Sequence, residues 1–445
     1  MTGTRSRRLR RWVLYPLAFC VVILLLSIAA GYAHYRLTLY KASPRQTGRL
    51  ALTGATVLVG PDLQPRANAT ILIENGVIIA VGSDVVVPQD AERRDFAGRI
   101  VLPGLIDSHV HLQAPEGPRG KKIGPLDMPG LVADWYRYEP GKRRNFLRNG
   151  VTTIRSMGDE NAWVHTLRNK IRTVELEGPR MLIAGPIFTT PGGHPVATVG
   201  VEANSDTVRL PENPEQAREM VRALVGGDDP VDLIKVVQER GNPERKVLQP
   251  IRLDILTAII DEAHRKDTKV FAHWGTLADL DDLLAAGIDG LDHLEARGVR
   301  EGWPPGIPET LVQRGITLAP TLAVTDQVFD QPTKAAIYAR VREFRAVGGR
   351  IIAGSDASFG GVYAGSGLIR ELELLVAAGL TPREAITAAT VTPAATLHAD
   401  TIGTIEPGKA ADLLVVAGDP LADIAALRQV DAVLRDGRIV VDNTN

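Results

Sequence analysis

A chain of 445 residues, 44% of them hydrophobic, is long enough for a barrel-sized core and an accessory domain. Its net charge of −1 gives no basic excess for nucleic acid. The single cysteine, Cys20, excludes an intramolecular disulfide and a cysteine-rich zinc site.

From the N-terminus, Arg5, Arg7, Arg8, Arg10 and Arg11 make residues 1–11 a basic segment, followed by an uncharged run from Trp12 to Tyr35. A helix of about 20 apolar residues spans a bilayer core. Basic flanks stay on the cytoplasmic side, and Trp12, Tyr15, Tyr32 and Tyr35 fall near the two interfaces. The run predicts a single-pass signal anchor over 12–35, with the remaining chain outside the cytoplasm. The alternative is a signal peptide cleaved near Gly31-Tyr32-Ala33, leaving a secreted or periplasmic protein. Residues 36–48, with Ser43-Pro44 and Gly48, read as a polar linker.

Residues 49–100 read as short strands, with Asn75-Gly76 as a hairpin turn. Residues 400–445 have the same character, with Asp436-Gly437 as the turn. Chain termini often lie close together, so the two segments predict one small β-sandwich built from both ends. Between them, over 101–399, eight β-like runs alternate with helical stretches: IVLPGLIDSHVHL, VTTIRSM, RMLIAG, VDLIKVV, KVFAHW, IDGLDHL, ITLAPTLA and RIIAGSD. Several are almost wholly apolar, as parallel strands covered on both faces must be. RLDILTAIIDEAHRKD and TLADLDDLLAAG carry apolar residues at helical spacing, and Thr381-Pro382 opens another helix as N-cap and first residue. Eight β/α units in order predict a (β/α)8 TIM barrel, which gathers the C-terminal ends of its strands around one mouth.

Metal-binding residue types fall at those ends. His109 and His111 alternate on the first strand and so face the same side. Lys235, His273, His293 and Asp356 follow at the ends of four others. Two imidazoles per ion suit zinc and similar divalent metals, so His109 with His111 and His273 with His293 make two candidate ion sites. A lone histidine at a strand end is more often structural; four of the nine histidines in this pattern, with an aspartate, are not explained that way. Asp356 has the chemistry to ligate a metal and to move a proton from water to a leaving amine. Lys235 has two readings of equal weight. Deprotonated and carboxylated by carbon dioxide, it is an anionic ligand able to bridge two ions; protonated, it is the partner of a carboxylate such as Asp232 or Glu239.

GLIDSHVHL, GVTTIRSMGD, DLIKVV, FAHWG, GLDHLE, AGSDAS and GTIEPGKAADLLVVAGDPL together resemble the amidohydrolase superfamily. The likeness runs from about Leu50 to the C-terminus. Within the superfamily the chain is similar to a branch of prolidase-like and Xaa-Arg dipeptidases that also holds imidazolonepropionase-like proteins. The resemblance implies a binuclear centre, usually zinc. His109, His111 and Asp356 would hold one ion, His273 and His293 the other, and carboxylated Lys235 would bridge them. It also implies that His194, in TTPGGHP, stands near the substrate carbonyl. Arg155 either orients a substrate carboxylate or braces the second strand. Ser156 departs from the aspartate common at that position, which leaves the role of this strand open.

The expectation is a metal-dependent hydrolase that cleaves an amide or peptide bond of a small substrate, a dipeptide or N-acyl amino acid, by attack of a metal-bridging hydroxide. The alternatives are a mononuclear imidazolonepropionase-like hydrolase or deaminase, and a catalytically silent surface binding protein. The membrane is a partner through the N-terminal helix, nucleic acid is not, and homo-oligomers are compatible with the sequence. Specificity is expected in the loops after the first and seventh strands, where Lys121 and Lys122 either meet an acidic group or face water.

Overall fold

A computed structural model of the chain describes residues 3–38, 42, 47–118, 122–294 and 298–444. Most of the linker, including Ser43 and Pro44, and Lys121 in the first long loop lie outside the described residues.

The N-terminal helix runs Gly3–Thr38, 36 residues or roughly 54 Å. Its stretch Leu14–Tyr32 has a mean hydropathy of 2.4 and buries none of its surface. Among the described residues it is the one helix long and apolar enough to cross a membrane. A signal anchor and a signal sequence both meet that description.

Both chain ends enter one eight-stranded sheet. From one edge the order is Arg438–Asp442, Val430–Arg435, Leu413–Val416, Ile100–Pro103, Arg49–Val59, Gln64–Glu74 and Val77–Gly82, with Glu92–Asp95 also paired to Arg49–Val59. The ends meet where Leu413–Val416 runs antiparallel to Ile100–Pro103. Strand alternation divides the burial. Leu413 and Val415 pack with Leu50, Leu52, Ile71 and Ile73 in a small core, while Leu414 and Val416 join the large core of the chain. The strands from both ends hydrogen-bond as one continuous ladder beside that small core. Both hairpins turn on residues of positive φ, Asn75-Gly76 and Asp436-Gly437, the geometry of the tight turns that Asn-Gly and Asp-Gly favour. The two tips touch: a Cβ on Gly76 would stand 2.7 Å from the Asp436 carbonyl oxygen.

Eight parallel strands follow in chain order: β1 Leu105–Val110, β2 Val151–Ser156, β3 Arg180–Ile183, β4 Ile234–Gln238, β5 Val270–Trp274, β6 Gly290–Asp292, β7 Thr317–Ala319 and β8 Arg350–Ile351. They form two ladders, β1-β2-β3 and β4 to β8 in sequence, the second extended beyond β4 by two short parallel strands, Ile187–Phe188 and Val208–Arg209. The Asp232 amide, just before β4, donates to the Ile183 carbonyl at 2.9 Å across the gap between ladders. Past β8, the Asp356 amide donates to the His109 carbonyl at 2.8 Å, and Val110 bridges Ala357 in parallel. The arrangement is TIM-barrel-like, with helices such as Leu253–His264, Leu277–Ala286 and Ser366–Ala377 between strands. Thr381 caps Pro382–Ala388 by accepting from the Glu384 amide, as its position before proline predicted. Strand β8 is shorter than its sequence run. Asp356 lies beyond the regular strand, in left-handed backbone with φ 60°, and is held there by the His109 carbonyl.

Candidate metal centre

The ends of β1, β4 and β5 and the turns after β6 and β8 open into one cavity of about 800 Å³. His109, His111, Lys235, His273, His293 and Asp356 all line it, and so does His194.

The tightest group is His109, His111 and Asp356. His109 Nε2 and His111 Nε2 are 3.3 Å apart. Asp356 Oδ1 is 3.7 Å from the first and 3.6 Å from the second. Proton placement makes this contact informative. His111 Nδ1 lies 3.3 Å from the Gly158 carbonyl oxygen, which can only accept, so Nδ1 carries the proton. His109 Nδ1 lies 3.3 Å from Asp292 Oδ1, off hydrogen-bond geometry, so it is the charge of the carboxylate that favours a proton there. With both protons on Nδ1, the Nε2 atoms turn lone pairs toward each other and toward a carboxylate oxygen. Three acceptors this close repel unless a cation lies among them. Ligands at 2.0–2.1 Å from a tetrahedral zinc would stand about 3.3 Å apart. The donor set thus fits a divalent ion held by His109, His111 and Asp356.

The second group is organised differently. The His293 ring lies 4.7 Å from that of His109 and 4.9 Å from that of His273, centroid to centroid. His293 Nδ1 is 2.8 Å from Thr321 Oγ1 and 3.9 Å from Asp356 Oδ2. His273 Nε2 is 3.3 Å from Glu239 Oε2. Lys235 Nζ donates to Asp292 Oδ2. The carboxylate beside Lys235 is thus Asp292, not Asp232 or Glu239; Asp232 instead binds Arg168 and the Ile183 amide.

Burial sets the electrostatics. It pushes His109 down to about 3 and lowers His111 and His293. His194 falls to about 3 through burial and the neighbouring His273. Neutral imidazole is the form that ligates a metal. Burial also lowers Lys235, against the pull of Asp292. Burial alone would raise Asp292, but Lys235, His109 and Arg155 hold it well below the usual carboxylate range.

His194 stacks on His273 with ring centroids 5.1 Å apart, and its Nδ1 pairs with Thr198 Oγ1. Arg155 does not reach the cavity. It is wholly buried, donates through Nε to the Ser108 carbonyl and through Nη2 to Asp292 Oδ1 at 3.0 Å, and lies 4.1 Å over the Phe271 ring. Of its two readings, the brace fits this placement and the substrate contact does not. Among the described residues, none of the first long loop lines this cavity, whereas the segments after β4, β6, β7 and β8 do.

The sequence reading missed the residues behind the donors. Asp292 faces His109, Lys235 and Arg155 together. Such outer carboxylates fix the tautomer and orientation of a ligating imidazole. Glu239 and Thr321 stand in the same relation to His273 and His293. Asp107 accepts from the Ser355 amide and hydroxyl at 2.9 and 2.6 Å, tying β1 to the turn that carries Asp356. The one available signal was position: Asp107, Glu239 and Asp292 each lie within four residues of a predicted ligand.

Comparison with known proteins gives the family and the fold. The model of the Amidohydrolase family matches residues 100–440. An ochratoxinase of Aspergillus niger is 24% identical, over 86% of this chain and 85% of its own. An imidazolonepropionase of Geobacillus kaustophilus (strain HTA426) is 27% identical, over 91% of this chain and 98% of its own. The crystal structure of a Xaa-Pro dipeptidase with methionine bound in its active site superposes with a TM-score of 0.72 at 23% identity, covering 88% of this chain and 99% of that one. At that identity the likeness is one of fold.

Proposed function

This chain belongs to the amidohydrolase family, whose members act as hydrolases on carbon–nitrogen bonds and typically bind metal ions, and on that premise we propose that it cleaves an amide or peptide bond in a small substrate. Dipeptides and N-acyl amino acids are the substrates we infer. The observation that carries the reading is the convergence of two imidazole lone pairs and the Asp356 carboxylate within 3.3–3.7 Å, on the wall of a cavity large enough for such molecules.

In the reading proposed here, His109, His111 and Asp356 would hold one divalent ion, His273 and His293 would hold a second, and carboxylated Lys235 would be an anionic ligand shared by both. Zinc is the metal the donor types suit best. Ions held there would polarise a scissile carbonyl and bring the pKa of water toward neutrality. The rest falls to the chain's own residues. Asp356, at the cavity wall, takes the proton of the attacking water and returns it to the departing amine. His194 stands against the carbonyl oxygen. Asp292 and the Gly158 carbonyl keep the protons of His109 and His111 on Nδ1, so that Nε2 stays free. Loss of the Lys235 proton on carboxylation leaves Asp292 still paired with Arg155 and His109.

A one-ion reading also has an observation behind it. The tight donor group contains only His109, His111 and Asp356, and His273 and Lys235 rest on other partners. Counting metal per chain at full activity separates the two. We further propose that the eight strands close into one barrel over 101–399. In this reading 49–100 and 400–445 form the accessory domain, and the helix within 12–35 anchors the body outside the cytoplasm.

The test is turnover of a dipeptide and N-acyl amino acid library with zinc and bicarbonate. Asp356→Asn is expected to lower the rate by about 10³ or more while the far-ultraviolet circular dichroism stays the same. An unchanged rate on every substrate turned over by wild type sinks the mechanism.

A further inference from the structure

The first long loop, after β1, carries a run of apolar side chains that have no part in the metal centre. Ile123, Leu126, Met128, Val132, Trp135 and Tyr136 are between 37% and 97% exposed, Leu126 the most. The helix Met128–Tyr136 buries none of its residues. Met128, Val132 and Trp135 recur at i, i+4 and i+7 and so share one face. On a helix packed against its own domain, that face is the buried one. Single exposed apolar residues are ordinary, whereas a contiguous run of them marks a surface that something covers. Among the described residues the loop does not line the metal-centre cavity, so a substrate held there does not cover it.

The helix is nonetheless fixed to the barrel by its backbone. Trp163 Nε1 donates to the Trp135 carbonyl at 2.9 Å, and Arg143 Nε donates to the Tyr138 carbonyl at 2.7 Å. The Tyr138 ring packs on Trp163 with centroids 5.6 Å apart. Before the helix, Asp127 Oδ2 accepts from the Gly124 amide at 2.9 Å. The side chains left in solvent are those of a membrane interface. Trp135 and Tyr136, with ring centroids 4.9 Å apart, are the aromatic types that sit at headgroup level, and Ile123, Leu126 and Val132 are suited to the acyl boundary. The charge also fits lipid. Arg119, Lys121, Lys122 and Arg137 stand against Asp127 and Asp134 in the sequence 119–137, a basic surplus that anionic headgroups attract. The chain supplies the bilayer itself through its candidate span, Leu14–Tyr32. Residues 39–48 join the helix bearing that span to the strand Arg49–Val59 and reach at most about 36 Å when fully extended. A body of this length is roughly 50 Å across, so a bilayer crossed by the span lies within contact of it.

We propose that residues 122–136 are a second membrane contact, with the apolar face of the helix Met128–Tyr136 laid into the interface of an anionic bilayer. The proposal rests on the anchor reading above and adds to it a docking face that fixes how the body is turned toward the lipid. The test uses the full chain with Cys20→Ser and one fluorophore, placed through Leu126→Cys or, as control, through Val86→Cys, a site 86% exposed in the accessory domain. Each is reconstituted into vesicles of equal parts phosphatidylcholine and phosphatidylglycerol. Quenching by nitroxide-bearing lipid and by aqueous iodide reads where the label sits. At position 126 lipid should quench and iodide should not; at position 86 the reverse is expected. Lys122→Ala should lower the ratio of docked to undocked label about fivefold, the factor of one basic residue at an anionic surface. No shift would overturn the assignment to anionic lipid. Equal melting temperatures show that the variants fold. Carbonate extraction, which strips proteins without a span, reads the anchor separately. If the chain withstands carbonate and the label at 126 is as open to iodide as that at 86, the anchor stands and the docking face falls. Shielding from iodide without quenching by lipid means that protein covers the face, which overturns the proposal. If carbonate strips the chain, the anchor reading falls and flotation with the same vesicles at neutral pH decides the face. Flotation that Leu126→Glu abolishes supports it; no flotation, or flotation indifferent to Leu126→Glu, overturns it.

Discussion

The two halves of the candidate metal centre are built by different means. In the first, His109 and His111 have their outer nitrogens beside the Asp292 carboxylate and the Gly158 carbonyl, and their inner nitrogens converge with Asp356. In the second, His273, His293 and Lys235 come from separate strands and rest on Glu239, Thr321 and Asp292. The donors of the first half already converge. In the two-ion reading proposed above, the second would exchange at least the Lys235 contact with Asp292 for a metal contact. Preorganised donors bind without a cost of rearrangement, so the halves should differ in affinity and in what they contribute.

The largest expected effect tests this asymmetry directly. His111→Ala should abolish tight metal binding altogether and lower kcat/KM by about 10³ or more, several kcal/mol of lost stabilisation. His273→Ala should leave one ion bound and cost about 10². Metal analysis after gel filtration, alongside turnover, reads both. Equal losses of metal in the two variants would break the comparison. Next in size is Lys235→Met. Removing one partner of a buried pair costs about 3–5 kcal/mol, and Asp292 keeps Arg155 and His109, so urea melts should show a loss near the lower bound. If bicarbonate-dependent activity survives in this variant, Lys235 does not bridge ions.

The asymmetry also separates what the sequence made legible from what it did not. Five of the six ligand-type residues were legible because they fall at or just past the end of an apolar run, and the i, i+2 spacing of His109 and His111 put both on one face; Lys235, expected at a strand end, is instead the second residue of β4, with Val236 and Val237 after it. The hairpins and the Thr381 cap were legible because local chemistry alone requires them. Arg155 was ambiguous because a strand pattern gives the face of a residue, not its depth below the mouth. Asp292 was missed for a conformational reason. It precedes His293, and on a regular strand neighbours point to opposite sides. His293 instead has φ 70° and Thr321 φ 50°, left-handed values imposed by tertiary contacts that no alternation rule predicts. Strain is shared between the halves: Asp356, with φ 60°, belongs to the first, and His293 and Thr321 belong to the second.

The smallest expected effect lies behind that half. Glu371, wholly buried in the helix Ser366–Ala377, accepts from the Ala323 amide at 2.6 Å through Oε2, while Oε1 has no hydrogen-bond partner. It so fixes the start of the helix Leu322–Val328, whose preceding residue, Thr321, holds His293. Burial raises this carboxyl to about 8, against the Ala323 and Leu322 amides and with the help of Asp107. A group whose pKa is raised by folding contributes stability that is fully present below its unfolded value and is lost as pH climbs through the folded one. Glu371 should therefore cost stability progressively between about pH 4.5 and 8, at up to about 1.4 kcal/mol per pH unit. Glu371→Gln keeps an acceptor for Ala323 and cannot ionise. Urea melts at about pH 5, 6.5 and 8 should show its advantage over wild type growing with pH, with kcat changed less than about threefold. A pH-independent difference would mean that Glu371 is already ionised in the fold, and that the support of His293 is electrostatic and not a neutral cap.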